Sequence, residues 1–225
     1  MSAETFSAST DVPASPASTP ADVPAVRSAI APKIGSITLA RHGRPSLTRY
    51  IDLDWQGYEE WWRAYDLSGL APGQTTPPKL IQAAAAATRI YCSPLRRAME
   101  TAAAAAPNRD LITDPIFTEA PLPPPRYPRF VKMNPSSWGW GWHARVFWWM
   151  GFSRGMETRD QAKERAALAV DKVIRAADSG FDVMVCGHGW FNRMMRPELQ
   201  RRGWKCVRDG GESYWSFRRY EYRGH

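Results

Sequence analysis

Cysteine and histidine are both scarce in this chain. Cys92, Cys186 and Cys206 are its only cysteines, and histidine occurs only at positions 42, 143, 188 and 225. There is no CxxC pair and no metal-ligand spacing, which excludes a zinc ribbon and a thioredoxin-like redox motif. Cys92 and Cys186 end apolar runs, as buried thiols do, and an odd number of thiols fits a reducing compartment better than a disulfide framework. No stretch reaches the roughly 18–20 apolar residues that cross a bilayer. The first residues lack the basic region and continuous apolar run of a secretory signal. The chain is therefore expected to be cytoplasmic, with no transmembrane segment. No internal repeat and no nucleic-acid-binding motif is visible.

Acidic residues are the minority charge. Lys and Arg number 30 against 22 Asp and Glu, a formal net charge of +8. Residues 1–33 contribute −1 and the remainder +9. Such a field attracts anions in general, from phosphate esters to nucleic acid, without choosing among them. The 225 residues suit one domain with a substantial core.

Residues 1–33 are rich in Ala, Ser, Thr and Pro and are expected to form a disordered tail, because they bury too little apolar surface to offset ordering. One domain is expected over 34–225. Ile34–Ala40 reads as a strand, Gly57–Tyr65 as an aromatic helix and Pro78–Thr88 as an alanine-rich helix. Arg89–Cys92 reads as a strand, with Ser93-Pro94 opening a helix from Leu95 to Ala106, Ser93 as its N-cap. Leu111–Phe117 is a further strand candidate. Thr158–Ser179 is amphipathic, with Ala162, Ala166, Ala169, Val170, Val173 and Ala177 on one face. Val183–Cys186 is a second central strand, Asn192–Arg202 a helix with Pro197 as a kink or boundary, and Ser213–Tyr222 a closing edge strand. This alternation predicts a three-layer α/β fold, a mainly parallel sheet flanked by helices. Residues 121–155 stand apart, with Trp138, Trp140, Trp142, Trp148 and Trp149 among several prolines. They read as an insertion that packs over the core or as a lid that gives aromatic contacts to substrate. Interfacial membrane contact is a third reading.

Arg41-His42-Gly43-Arg44 follows the first apolar strand, and His188-Gly189 follows the strand ending at Gly187. Both imidazoles are thus expected at the carboxyl edge of a sheet, where open α/β folds bind ligands. Arginines beside a histidine disfavour imidazolium and leave a ring lone pair. The same guanidiniums clamp a phosphate bidentately. Together these make an apparatus for phosphoryl transfer to histidine with no metal or cofactor required. Arg96 or Arg97 can face the same edge, and Glu119 is a candidate proton donor to the leaving group.

Arg41-His42-Gly43-Arg44 resembles the Arg-His-Gly signature of the histidine phosphatase superfamily, the phosphoglycerate mutase-like family. Ser93-Pro94-Leu95-Arg96-Arg97-Ala98-Met99-Glu100-Thr101-Ala102 is similar to its Ser-Pro-Leu-x-Arg-Ala-x-x-Thr-Ala segment, His188-Gly189 to its second His-Gly, and Tyr65–Leu70 to a stretch found in many members. The resemblance spans 34–120 and 158–222. It implies a phosphoglycerate mutase-like fold, His42 as the nucleophile, and a phosphate pocket of Arg41, Arg97 and His188. It also implies Glu119 as the acid of the branch that lacks a His-Asp motif, since Gly189 follows His188. Arg44 stands where many members carry Glu or Gln and is expected to add an anion contact. The implied activity is hydrolysis of phosphate monoesters through phosphohistidine, on a small phosphorylated substrate or a phosphoprotein. A phosphoglycerate-type mutase, or a vestigial phosphate-binding protein acting through its tryptophan-rich surface, are the alternatives.

Overall fold

The computed structural model describes residues 33–136 and 138–224. The tail expected over 1–33 lies outside them, apart from Lys33. Among the described residues the sheet has six strands: β1 (Ile37–Arg41), β2 (Arg89–Cys92), β3 (Ile112–Thr113), β4 (Val183–Gly187), β5 (Trp204–Asp209) and β6 (Phe217–Tyr222). Their order is β3-β2-β4-β1-β6-β5. The four strands from β3 to β1 are parallel, and β6 and β5 are added antiparallel.

Alternate residues of the central strands enter different cores, because successive side chains leave a strand on opposite faces. Leu39, Tyr91 and Val185 pack with helices α5 (Arg159–Asp178) and α6 (Gly189–Arg201). Ala40, Ile90, Cys92, Met184 and Cys186 pack instead with α2 (Pro78–Ala86) and α3 (Arg96–Ala105). The protein is thus a three-layer α/β structure with a mainly parallel sheet. α5 is opened by a full capping box between Thr158 and Gln161. Its Ala162, Ala166, Ala169, Val170, Val173 and Ala177 are all buried, as their spacing predicts.

Four expectations are corrected. The strand expected over Leu111–Phe117 shrinks to β3, because Pro115 opens a short 3₁₀ turn, Pro115–Phe117, with Asp114 accepting from Ile116 N at 2.9 Å. The last strand is not the edge. The edge on that side is β5, whose residues after Trp204 are exposed and mostly polar or charged and so read as a solvated surface. Ser93 does not cap α3: Leu95 occupies that position with no side-chain cap bond, and the Ser93 hydroxyl is used elsewhere. Pro197 lies inside α6, which begins at Gly189 rather than near Asn192.

The tryptophan-rich stretch contains a helix, α4 (Trp140–Trp149), that its prolines concealed. Trp140 and Ala144 pack with Tyr58, Trp61 and Tyr65 of α1 (Trp55–Leu67) in a separate aromatic cluster. The indole N–H of Trp140 donates to Leu53 O at 2.6 Å. Trp148 is buried on Ala120 and Ala162. No helix among the described residues is long and apolar enough to cross a membrane.

Candidate active site

β1 and β4 are parallel neighbours with Arg41 opposite Gly187. Two strands in that register end at one level, so the next residue of each, His42 and His188, emerge side by side. Their ring centroids are 5.1 Å apart and tilted by 59°. Both rings are buried. The junction is held by His42 N donating to Gly187 O at 3.0 Å, Gly43 N to Thr101 Oγ1 of α3 at 2.9 Å, and the Asn192 amide of α6 to Ala40 O at 2.9 Å.

His42 Nδ1 lies 2.7 Å from Gly43 O. A carbonyl only accepts, so Nδ1 carries the proton of the neutral ring and Nε2 keeps its lone pair. Burial first, then the charges of Arg97 and Arg41, hold His42 well below the usual histidine range. His188 is also held well below it, by burial first and then by His42, Arg97 and Arg41. His188 Nε2 is 2.8 Å from Ser93 Oγ, which accepts from Leu95 N at 3.3 Å. Its Nδ1 has no partner among the described residues.

Arg97 is fully buried, an unusual place for arginine. The Tyr65–Leu70 stretch explains it. Arg97 donates to Tyr65 O at 2.8 Å and to Asp66 Oδ1 at 3.1 Å, and its guanidinium lies 4.4 Å from the Tyr65 ring centre. Glu100 Oε2 accepts from Leu70 N at 2.6 Å, fastening the same stretch to α3. Arg41 donates to Glu212 O and lies 4.5 Å over the Tyr214 ring. The Nε atoms of Arg41 and Arg97, like His188 Nδ1, are buried without a partner among the described residues. Three such groups around one histidine suit an anion that accepts from all of them.

A cleft of about 520 Å³ opens here, and Arg41, His42 and Glu119 line it. The Glu119 carboxylate is fastened at the first turn of α6. Oε1 accepts from Phe191 N at 2.8 Å and Ala120 N at 3.0 Å, and Oε2 from Trp190 N at 3.2 Å. Arg44 does not join the cleft. It is exposed, and its backbone is tied to Gln74 by N–H donation to Oε1 at 2.8 Å. Arg49 lines the cleft instead, 2.6 Å from the Tyr65 hydroxyl to which it donates, and its charge also depresses His42. Arg49 belongs to no recognisable pattern, and neither do Arg145 and Trp190, which line the cleft from α4 and α6. The one signal for Arg145 in the sequence is its place in the tryptophan-rich stretch. His143 lies off the cleft wall, its Nδ1 3.1 Å from Gly139 O.

Gly43 is required by close approach. A Cβ there would meet Trp215 Cζ2 at 2.3 Å. Gly43→Ala is expected to cost about 1–3 kcal/mol, read as a lower urea midpoint at unchanged slope. An unchanged midpoint would show that Trp215 moves aside freely.

A sequence model of the histidine phosphatase superfamily (branch 1) matches residues 69–225. The match begins after His42 and takes in Arg97, Glu119 and His188. No curated protein matches the chain. Among solved structures, a mycobacterial glucosyl-3-phosphoglycerate phosphatase in complex with VO3 is 16% identical, with a TM-score of 0.55 over 85% of this chain and 97% of that one. A phosphoserine phosphatase from Entamoeba histolytica in complex with 3-phosphoglyceric acid is 17% identical, with a TM-score of 0.47 over 74% and 80% of the two chains. The ecdysone phosphate phosphatase of Bombix mori in complex with tungstate is 14% identical, with a TM-score of 0.47 over 85% and 92%. At 16% identity the likeness to the glucosyl-3-phosphoglycerate phosphatase is one of fold. The family model covers well over half of the sequence, and on that ground the chain belongs to the histidine phosphatase superfamily, branch 1.

Proposed function

We propose that the protein is a phosphomonoesterase that works through a phosphohistidine on His42. The observation that carries this reading is the paired histidines. One neutral imidazole with its Nδ1 proton held by Gly43 O presents Nε2 to a cleft, with a second imidazole 5.1 Å away and the charges of Arg97 and Arg41 acting on both. In the first step His42 Nε2 bonds to phosphorus as the bond to the ester oxygen breaks. That oxygen takes a proton from Glu119. Water then attacks phosphorus, gives its proton back to Glu119, and the bond to His42 breaks, releasing inorganic phosphate. Arg41, Arg97 and His188 hold the non-bridging oxygens through both steps. Ser93 donating to His188 Nε2 leaves the ring proton on Nδ1, where it serves as a further donor. Arg44, exposed beside Gln74, has no part in this scheme, and Arg49 takes the place it was expected to fill.

Glu119 suits proton exchange because its position is fixed while Oε2 keeps spare accepting capacity, with one amide at 3.2 Å against two amides on Oε1. Glu119→Gln is expected to slow turnover of alkyl phosphates by roughly 10²–10⁴-fold and to leave an ester with an acidic nitrophenol leaving group much less affected. Equal slowing of both would place the proton donor elsewhere.

The reading as a whole is tested by rapid quench. An aryl phosphate labelled in phosphorus is mixed with the protein in EDTA, and the quenched chain is mapped. The expected product is an acid-labile, base-stable phosphoryl group on the peptide carrying His42, with inorganic phosphate released in solution. Transfer to an added acceptor without phosphate release would indicate a mutase. Absence of label and of turnover would leave a binding protein.

A further inference from the structure

Helix α4 is apolar on two opposite faces. Trp140, Ala144 and Trp148, spaced i, i+4, i+8, form its buried stripe. Trp142, Val146 and Trp149, spaced i, i+4, i+7, run along the other side, and both of those indoles are 52% exposed. A surface helix sets charged and polar residues opposite its core face, and a helix that is apolar all round is covered all round. The outer stripe of α4 follows neither pattern. The same segment also exposes Trp138 at 90%, Phe130 at 84% and Met150 at 67%. Exposed apolar side chains gathered in one segment mark an interaction surface.

The charge of the segment is one-sided. Residues 121–156 hold Arg126, Arg129, Lys132, Arg145 and Arg154 and not one Asp or Glu. Among the described residues, carboxylates from outside pair with two of these cations, Asp54 with Arg129 at 3.1 Å and Glu59 with Arg154. Arg126 and Lys132 are exposed and have no ion pair among the described residues. Arg159, at the start of α5, places its guanidinium 4.3 Å from the centre of the Trp149 ring.

We infer that the exposed aromatics of residues 130–150 are a docking surface for an anionic lipid bilayer, with the indoles in the headgroup layer and Arg126, Lys132 and Arg159 against lipid phosphates. Indole settles at the boundary between water and hydrocarbon. An apolar stripe with cations beside it and no carboxylate in its own segment complements a surface that is negative outside and apolar beneath. The formal net charge of +8 adds long-range attraction. A second copy of the chain fits less well. A two-fold contact would set the same carboxylate-free segment against itself, cations facing cations. The docking is peripheral, since no helix among the described residues is long and apolar enough to cross a membrane. Trp142 also lines the cleft, so a docked bilayer meets the cleft at its rim.

Co-sedimentation with vesicles tests this on the full chain without substrate, so its outcome is independent of the phosphatase reading. The vesicles are phosphatidylcholine alone and an equal mixture of phosphatidylcholine and phosphatidylglycerol. Partitioning is expected to be roughly tenfold or more stronger on the anionic vesicles and to weaken as salt is raised. Trp138→Ser combined with Trp149→Ser should lower it roughly tenfold or more. Arg126→Gln combined with Lys132→Gln should cut the preference for anionic over neutral vesicles severalfold. Absence of sedimentation with anionic vesicles would overturn the inference. So would binding that the tryptophan substitutions leave unchanged, since such binding would come from charge elsewhere. If the double tryptophan variant fails to fold, Trp138→Ser alone decides, because it removes an indole that is 90% exposed; unchanged partitioning in it overturns the surface as described. Failure to sediment, together with self-association in the ultracentrifuge that the tryptophan substitutions abolish, would make the stripe a contact between copies instead.

Discussion

His42→Ala is expected to lower the turnover of an aryl phosphate by about 10⁴-fold or more, while inorganic phosphate still inhibits or binds within roughly tenfold of its wild-type constant. The asymmetry follows from the division of labour at the strand ends. Of the two imidazoles His42 is the one that lines the cleft, and Gly43 O holds its proton on Nδ1, so Nε2 keeps the lone pair that attacks. His188 Nε2 is occupied by Ser93. Removing the His42 ring deletes bond formation to phosphorus but leaves the Arg41 and Arg97 guanidiniums in place. Arg97 is anchored by Tyr65 O and Asp66, and Arg41 by Glu212 O and Tyr214, so neither depends on the lost ring. Steady-state kinetics with phosphate as a competitive inhibitor check both halves. Turnover within tenfold of wild type would refute the nucleophile assignment. Loss of phosphate binding in parallel with turnover would mean that the ring shapes the pocket rather than reacts in it.

Stability is expected to fall as pH drops from about 6.5 towards 5, a range in which most proteins without buried histidines change little. Both His42 and His188 have folded-state values held well below the ordinary one, by burial first in each case. An unfolded histidine titrates near 6.5. Between that value and the lower folded one, the unfolded chain binds more protons than the folded chain, so protons favour unfolding. The sign is therefore destabilising on acidification, with no contribution above about pH 7. Each ring contributes up to about 1.4 kcal/mol per pH unit across the window. Carboxylates with lowered values, such as Asp114 and Asp182, act in the same direction but only nearer pH 4, and Asp66, raised by burial, acts in the opposite direction, so the histidine contribution is read as the difference in slope between wild type and a histidine variant. Urea unfolding at half-unit pH steps measures the slope. His42→Asn is expected to halve it roughly, and saturating phosphate to flatten it, because a bound dianion stabilises the protonated rings. An equal slope in wild type and His42→Asn would show that the ring is hydrated and titrates normally.

How much of the site is legible in the sequence varies with the kind of signal each residue offers. His42, Arg97 and His188 lie in short segments whose spacing and strand-end position carry information, so they are visible from local order. Glu119 is visible only as a carboxylate after an apolar stretch, and its attachment to the first turn of α6 depends on a contact between residues some seventy positions apart. Arg44 misleads because sequence adjacency to His42 suggests spatial adjacency. In fact the chain turns after Gly43, packed against Trp215, and the Arg44 backbone pairs with Gln74 outside the cleft. Arg49 is invisible for the converse reason: it returns to the cleft through its bond to Tyr65, and nothing local announces that return. Helix α4 is hidden because the prolines before it suggest irregular structure, whereas its stability comes from Trp140, Ala144 and Trp148 packing onto distant partners.

The linear order of residues determined the layered α/β architecture and the pair of histidines at two strand ends, because hydrophobic periodicity and strand-terminal glycine act over a few residues at a time. Only the tertiary structure decided which arginines share the cleft, that His42 rather than His188 lines it, and that a guanidinium from the tryptophan-rich helix reaches it. Those outcomes come from desolvation and long-range packing, which depend on the sum of neighbours in space and leave no signature in the neighbours along the chain.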